Sequence, residues 1–77
     1  MSTTYKTGQA VTLAYHGQEK EALIVLASGN SRSLMLYFDG ALRTPGGGLL
    51  VNSIPLLMDD DGVYRDLAEN APATLTP

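Results

Sequence analysis

Seventy-seven residues, 44% of them hydrophobic, suffice for one small packed domain and contain no long polar tract that would favour disorder. Eight acidic residues against five basic ones give a net charge of -3, the wrong sign for tracking a phosphate backbone, so nucleic-acid binding is disfavoured. The chain has no cysteine, hence no disulfide and no thiolate for a metal; this fits a reducing cytoplasm and leaves oligomerisation as one of the few ways for so short a chain to bury more surface.

The first residues, Met1 to Thr7, are polar apart from Tyr5 and lack the apolar run of a secretion signal. No uncharged apolar stretch approaches the roughly 20 residues needed to span a bilayer, so a soluble cytoplasmic protein is expected. From Ala10 to Tyr15, Val11, Leu13 and Tyr15 recur at period two, which predicts a first strand ended by His16-Gly17-Gln18.

The stretch from Lys20 to Asp39 is the centre of the chain. Residues Ala22 to Ala27 are all apolar over a strand's length, Ser28-Gly29-Asn30-Ser31 is a cluster of turn formers, and Leu34 to Phe38 is apolar again. A two-residue or four-residue loop centred on Asn30 and Ser31 sets Leu23 opposite Phe38, Val25 opposite Leu36 and Ala27 opposite Leu34. The other face then carries Ile24 opposite Tyr37 and Leu26 opposite Met35. A three-residue loop with a bulge would shift this pairing by one. In either register both faces are apolar, which calls for the core on one side and another segment or another chain on the other. Ile24, Leu26, Met35 and Tyr37 are therefore the candidate association residues.

After Asp39-Gly40 the pattern loosens, and Gly46-Gly47-Gly48 predicts the most mobile interior segment. Leu49 to Met58 is extended, with Pro55 restricting it to an edge, a bulge or a strand start. Asp59-Asp60-Asp61-Gly62 is a turn. Val63 to Leu67 is read as the final strand, although Tyr64, Leu67 and Ala68 also have the spacing of one face of a short helix. Residues 69–77 read as a loose tail beyond an ordered core of about 5–68.

Five short strands at about ten-residue spacing predict an all-β fold, a small five-stranded antiparallel barrel or strongly bent sheet. The glycine-led turn and alternating strand Thr7-Gly8-Gln9-Ala10-Val11-Thr12-Leu13 resembles the opening of SH3-like barrels, a resemblance that implies a fold and no functional residue. The stretches Leu26–Leu36 and Asp59–Arg65 resemble short uncharacterised proteins of proteobacteria, which implies no activity.

Chemistry-bearing groups are sparse. The three contiguous aspartates lack the alternate spacing and closing glutamate of a calcium loop. His16 is the sole histidine and has no companions for a metal site. Ser28, Ser31 and Ser33 have no evident base and no glycine-flanked nucleophile elbow. No catalytic set, metal site or cofactor is expected from these residues, and the chain is read as non-enzymatic. Arg32 and Arg43 with Gly46, Gly47 and Gly48 form the alternative, a small-anion or nucleotide site, although the glycines lack the lysine and hydroxyl of a phosphate loop and the paired arginines of a PilZ-type reader are missing. The leading expectation is a module acting through protein association, as a homodimer or with another protein.

Overall fold

The computed structural model describes residues 4–77 and shows six strands: β1 (Ala10–Tyr15), β2 (Gln18–Ala27), β3 (Ser33–Arg43), β4 (Leu49–Met58), β5 (Tyr64–Asp66) and β6 (Pro72–Thr76). Each pairs antiparallel with the next, and β6 returns to β1, so the sheet closes into an all-β barrel. No helix among the described residues is long and apolar enough to cross a membrane.

Period-two patterning decides what faces inward. Val11, Leu13 and Tyr15 of β1 point into the barrel as expected, and Ala22, Ile24, Leu34, Leu36, Phe38, Leu42, Ile54, Leu56, Tyr64 and Ala73 of the other strands, with Tyr5 and Ala71 outside the strands, complete the core. The β2–β3 turn is the four-residue loop Gly29–Arg32, because the Ser28 N–H donates to the Ser33 C=O at 2.9 Å. Asn30 stabilises it, its Oδ1 accepting from the Ser28 hydroxyl at 2.8 Å and the Arg32 N–H at 3.1 Å. The Ser31 backbone has φ 60° there, and its hydroxyl donates to the Tyr5 C=O at 2.8 Å.

The expected register holds only beside this loop. Leu26 is opposite Met35 and Ala27 opposite Leu34, but beyond a bulge between Ile24 and Leu26 the partners become Ile24 with Leu36, Leu23 with Tyr37 and Ala22 with Phe38. One extra residue in β2 moves every side chain before it to the other face. Ile24 is thus a fully buried core residue, not a member of the outer face. Ile24→Ala should cost about 2–4 kcal/mol in urea denaturation, whereas Leu26→Ala should cost less than about 1 kcal/mol in the isolated barrel. Similar losses at both positions would mean that the bulge is misplaced.

Two further departures concern the second half. Residues 69–77 are not a loose tail: β6 pairs with β1 over Thr12–Tyr15 and with β5 at Tyr64 and Arg65, and it closes the barrel. Pro72 opens that strand, where a missing N–H breaks no continuing ladder. Tyr64–Asp66 is strand and Leu67–Glu69 is turn, so the helical spacing of Tyr64, Leu67 and Ala68 goes unused. The count is six strands rather than five because of β6. The β3–β4 hairpin is bent where Phe38, Asp39 and Gly40 oppose only Asn52; Gly40 takes φ 91°, Asn52 takes φ 64°, and the Asn52 Nδ2 donates to the Phe38 C=O at 3.1 Å.

Candidate functional site

The outer surface of β2, β3 and β4 is where apolar side chains remain uncovered. Leu26 lies opposite Met35 and Met35 opposite Pro55, one continuous row across three strands, and Leu67 adjoins it because its N–H donates to the Pro55 C=O at 3.2 Å. Leu23 opposite Tyr37 forms a second row. Leu26 is 67% exposed, Leu67 62% and Tyr37 46%, while Met35 and Pro55 between them are half-buried. Between the strands and the Leu67 turn lies a hollow of about 410 Å³ lined by Leu26, Met35, Pro55 and Leu67 with Ser28 and Ser33. Its lining is apolar apart from the Ser28 and Ser33 hydroxyls and carries no charged side chain, so it can bury apolar surface.

Three of the four association residues expected from the sequence, Leu26, Met35 and Tyr37, lie on this wall, and Ile24 lies in the core beneath it. Leu23, Leu57 and Leu67, all 41% exposed or more, belong to the outer surface and were missed. For Leu23 the cause is the bulge, which exchanges it with Ile24.

The arginine and glycine set is brought together only in part: Arg43 and Gly47 line one cleft, and Arg32 lies apart from them. Arg32 sits in the β2–β3 loop, where its guanidinium donates to the Met58 C=O at 3.0 Å and lies 3.8 Å from Asp60. Arg43 is at the far end of the 11-residue β3. It borders a cleft of about 760 Å³ with Gly47, His16, Gln18, Thr44, Pro45 and Leu49. The glycine amides are already satisfied: the Gly46 N–H donates to Glu69 Oε1 at 2.6 Å, the Gly47 N–H to the Thr44 C=O at 3.0 Å, and the Gly48 N–H to Thr44 Oγ1 at 2.9 Å. A loop with every amide engaged has no donor left to cradle a phosphate.

The aspartate run is the expected turn. Asp59 Oδ1 accepts from the Asp61 and Val63 N–H groups at 2.9 and 3.0 Å, and Oδ2 accepts from Arg65 Nε at 2.8 Å. The Arg65 hydrogen bond, with these backbone donors, holds the Asp59 carboxyl below the usual aspartate value. Among the described residues no three carboxylate or imidazole groups gather as a metal site.

One polar centre escaped the sequence reading. Asp66, 1% exposed, accepts from the Tyr15 hydroxyl at 2.8 Å, the Glu69 N–H at 2.6 Å and the Ala71 N–H at 3.0 Å. Burial by itself pushes its carboxyl up, but these donors and the Ala68 N–H outweigh it, so the net shift is downward. Burial and the neighbouring carboxylate raise Tyr15 in turn. The pair ties β1 to the β5–β6 turn. The signal was the period-two step from Tyr64 to Asp66, which puts the carboxylate on the inward face. Comparison with protein families, curated proteins and solved structures finds no match to this chain.

Proposed function

We propose that this chain is a non-enzymatic small barrel of the SH3-like kind that works through protein association, and that its partner is a second copy docked on the β2–β3–β4 wall. The observation that carries this reading is the apolar row Leu26–Met35–Pro55 with Leu67, exposed at Leu26 and Leu67 and half-buried at Met35 and Pro55, and flanked by the exposed Leu23 and Tyr37. Apolar patches of this continuity on a small protein mark interaction surfaces more often than they occur by chance. A standard interface buries about 800 Å² per partner, roughly one sixth of the 4668 Å² that the described chain exposes, and a small barrel gains proportionately from covering it. An isologous contact needs only one self-complementary patch, and a neutral apolar wall on a chain of charge -3 avoids like-charge repulsion at its centre. A bacterial cytoplasmic setting belongs to the same proposal; the cytoplasmic part draws on the absence of cysteine, which fits a reducing compartment.

Solution mass by light scattering across a concentration series tests the reading. Wild type should be a dimer, and Leu26→Asp should weaken it by about 30-fold or more, equivalent to about 2 kcal/mol, with an unchanged circular-dichroism spectrum. A monomer at every concentration overturns the homodimer. The small-anion or nucleotide alternative retains only the cleft beside Arg43 and His16, since Arg32 is remote and the glycine amides are occupied. Association is the better supported of the two.

A further inference from the structure

The barrel is closed, yet one strand edge is left over. β5 pairs with β4 only at Leu56–Met58, so the first half of β4 has β3 on one side and no strand on the other. Alternation in an antiparallel ladder shows which groups face that side. The Thr44 N–H donates to the Gly48 C=O at 2.9 Å, which makes residues 42 and 50 the next hydrogen-bonded pair. Arg43 therefore turns its backbone away from Leu49, and the Gln18 side chain takes it: the Arg43 N–H donates to Gln18 Oε1 and Gln18 Nε2 to the Arg43 C=O, each at 2.9 Å. By the same alternation Leu49 and Val51 direct their N–H and C=O groups to the free edge. Among the described residues these groups have no hydrogen-bond partner, and both side chains are 62% exposed.

The β5–β6 turn spans this edge like a strap. At one end the Leu67 N–H is bound to the Pro55 C=O, at 3.2 Å. At the other the Glu69 carboxylate holds the Gly46 N–H at 2.6 Å, while the Glu69 N–H is itself held by Asp66 at 2.6 Å. Gly46 has no positive φ that would demand glycine. A Cβ there would lie 2.6 Å from Glu69 Oε1, so a larger residue at this position requires the carboxylate to move away.

We infer that Glu69 is a latch that keeps the β4 edge from pairing with the same edge of a second copy. Covering an exposed edge is one of the ways proteins suppress strand addition between chains. A second copy is the occupant that fits. The run Leu49-Leu50-Val51 carries no charge, so two copies of an acidic chain meet there without repulsion. A two-fold axis beside Leu50 sets Leu49 of each copy against Val51 of the other, matching donors to acceptors and stacking the exposed side chains. This surface is distinct from the β2–β3–β4 wall.

The test uses the Leu26→Asp background, which removes association through the wall, so failure of either idea can be seen separately. Glu69→Ala in that background should show a mass that doubles with concentration, together with slowed amide exchange at Leu49 and Val51. Gly46→Ala, which displaces the carboxylate from the opposite side, should behave alike if Glu69→Ala folds poorly. Glu69→Gln retains an acceptor for the Gly46 N–H and should stay closed. Adding Val51→Lys should abolish the new dimer. Release variants that fold and remain monomeric overturn the inference, as does slow exchange of the Leu49 and Val51 amides in dilute wild type.

Discussion

Asp66→Ala is expected to be the most damaging single substitution in this barrel. It leaves the Tyr15 hydroxyl and the Ala71 and Glu69 N–H groups without their acceptor. Each unsatisfied buried donor costs about 1–3 kcal/mol, so a loss of about 3–6 kcal/mol is expected. A chain of this length has a total stability of roughly 4–12 kcal/mol, so the substitution removes a large share of it and unfolds the variant in water at the lower end of that range. Asp66→Asn retains one acceptor oxygen and should lose about half as much. The two separate the hydrogen bonds from the charge. Because the folded pKa of Asp66 lies below its ordinary value of 3.8, the carboxylate's contribution is complete above that value and disappears as pH falls through the folded pKa. Wild type should therefore lose stability on acidification below about pH 4, and Asp66→Asn should lose less over the same range. Urea denaturation at pH 7 and pH 3 measures both effects. An Asp66→Ala protein within about 1 kcal/mol of wild type would remove the carboxylate from the structural account.

Asp66 also shows what could be read from the sequence and what could not. Turn chemistry was legible wherever short polar side chains repeat backbone functions: Asn30 in the β2–β3 loop and Asp59 in the β4–β5 turn both accept nearby N–H groups, as their positions suggested. β1 was legible because Val11, Leu13 and Tyr15 alternate with less apolar neighbours. In β2 the same reasoning failed for a physical reason. Ala22 to Ala27 is apolar at every position, so sliding the strand by one replaces one apolar side chain by another, and only three-dimensional packing places the bulge at Val25. The candidate wall inherits that limit: Leu26, Met35 and Tyr37 lie beyond or opposite the bulge on the outer face, and Ile24 lies before it and turns inward. The glycine run misled in the other direction. Three glycines suggested mobility, but Thr44 and Glu69 engage all three amides, and Glu69 is distant in sequence.

Ending the chain after Ala71 should unfold the barrel. By composition the removed segment looks dispensable, with two prolines, two threonines and no charge. In the fold it is β6, and its loss exposes the edges of both β1 and β5. It also takes away Ala73, 6% exposed and part of the core, the Leu75 side chain packed against that core, and the Leu75 C=O that accepts the Tyr5 hydroxyl at 3.1 Å. β5 is only three residues long and would keep pairing on one side alone. Such a strand cannot hold Tyr64 and Asp66 in place, and Asp66 anchors Tyr15 of β1. The loss therefore spreads from the missing strand through β5 to the opposite side of the closure, and no independent sub-barrel remains to fold. Circular dichroism and thermal unfolding of the truncated chain should show no cooperative transition. A loose tail would instead leave the melting temperature unchanged, so a cooperative melt close to that of the full chain would contradict the closure by β6. Point substitution at Ala73 gives a graded version of the same test. Ala73→Asp sets a carboxylate on the inward face opposite Tyr64 and should be severely destabilising, whereas Thr74→Asp, on the exposed face of the same strand, should shift the midpoint by less than about 0.5 kcal/mol.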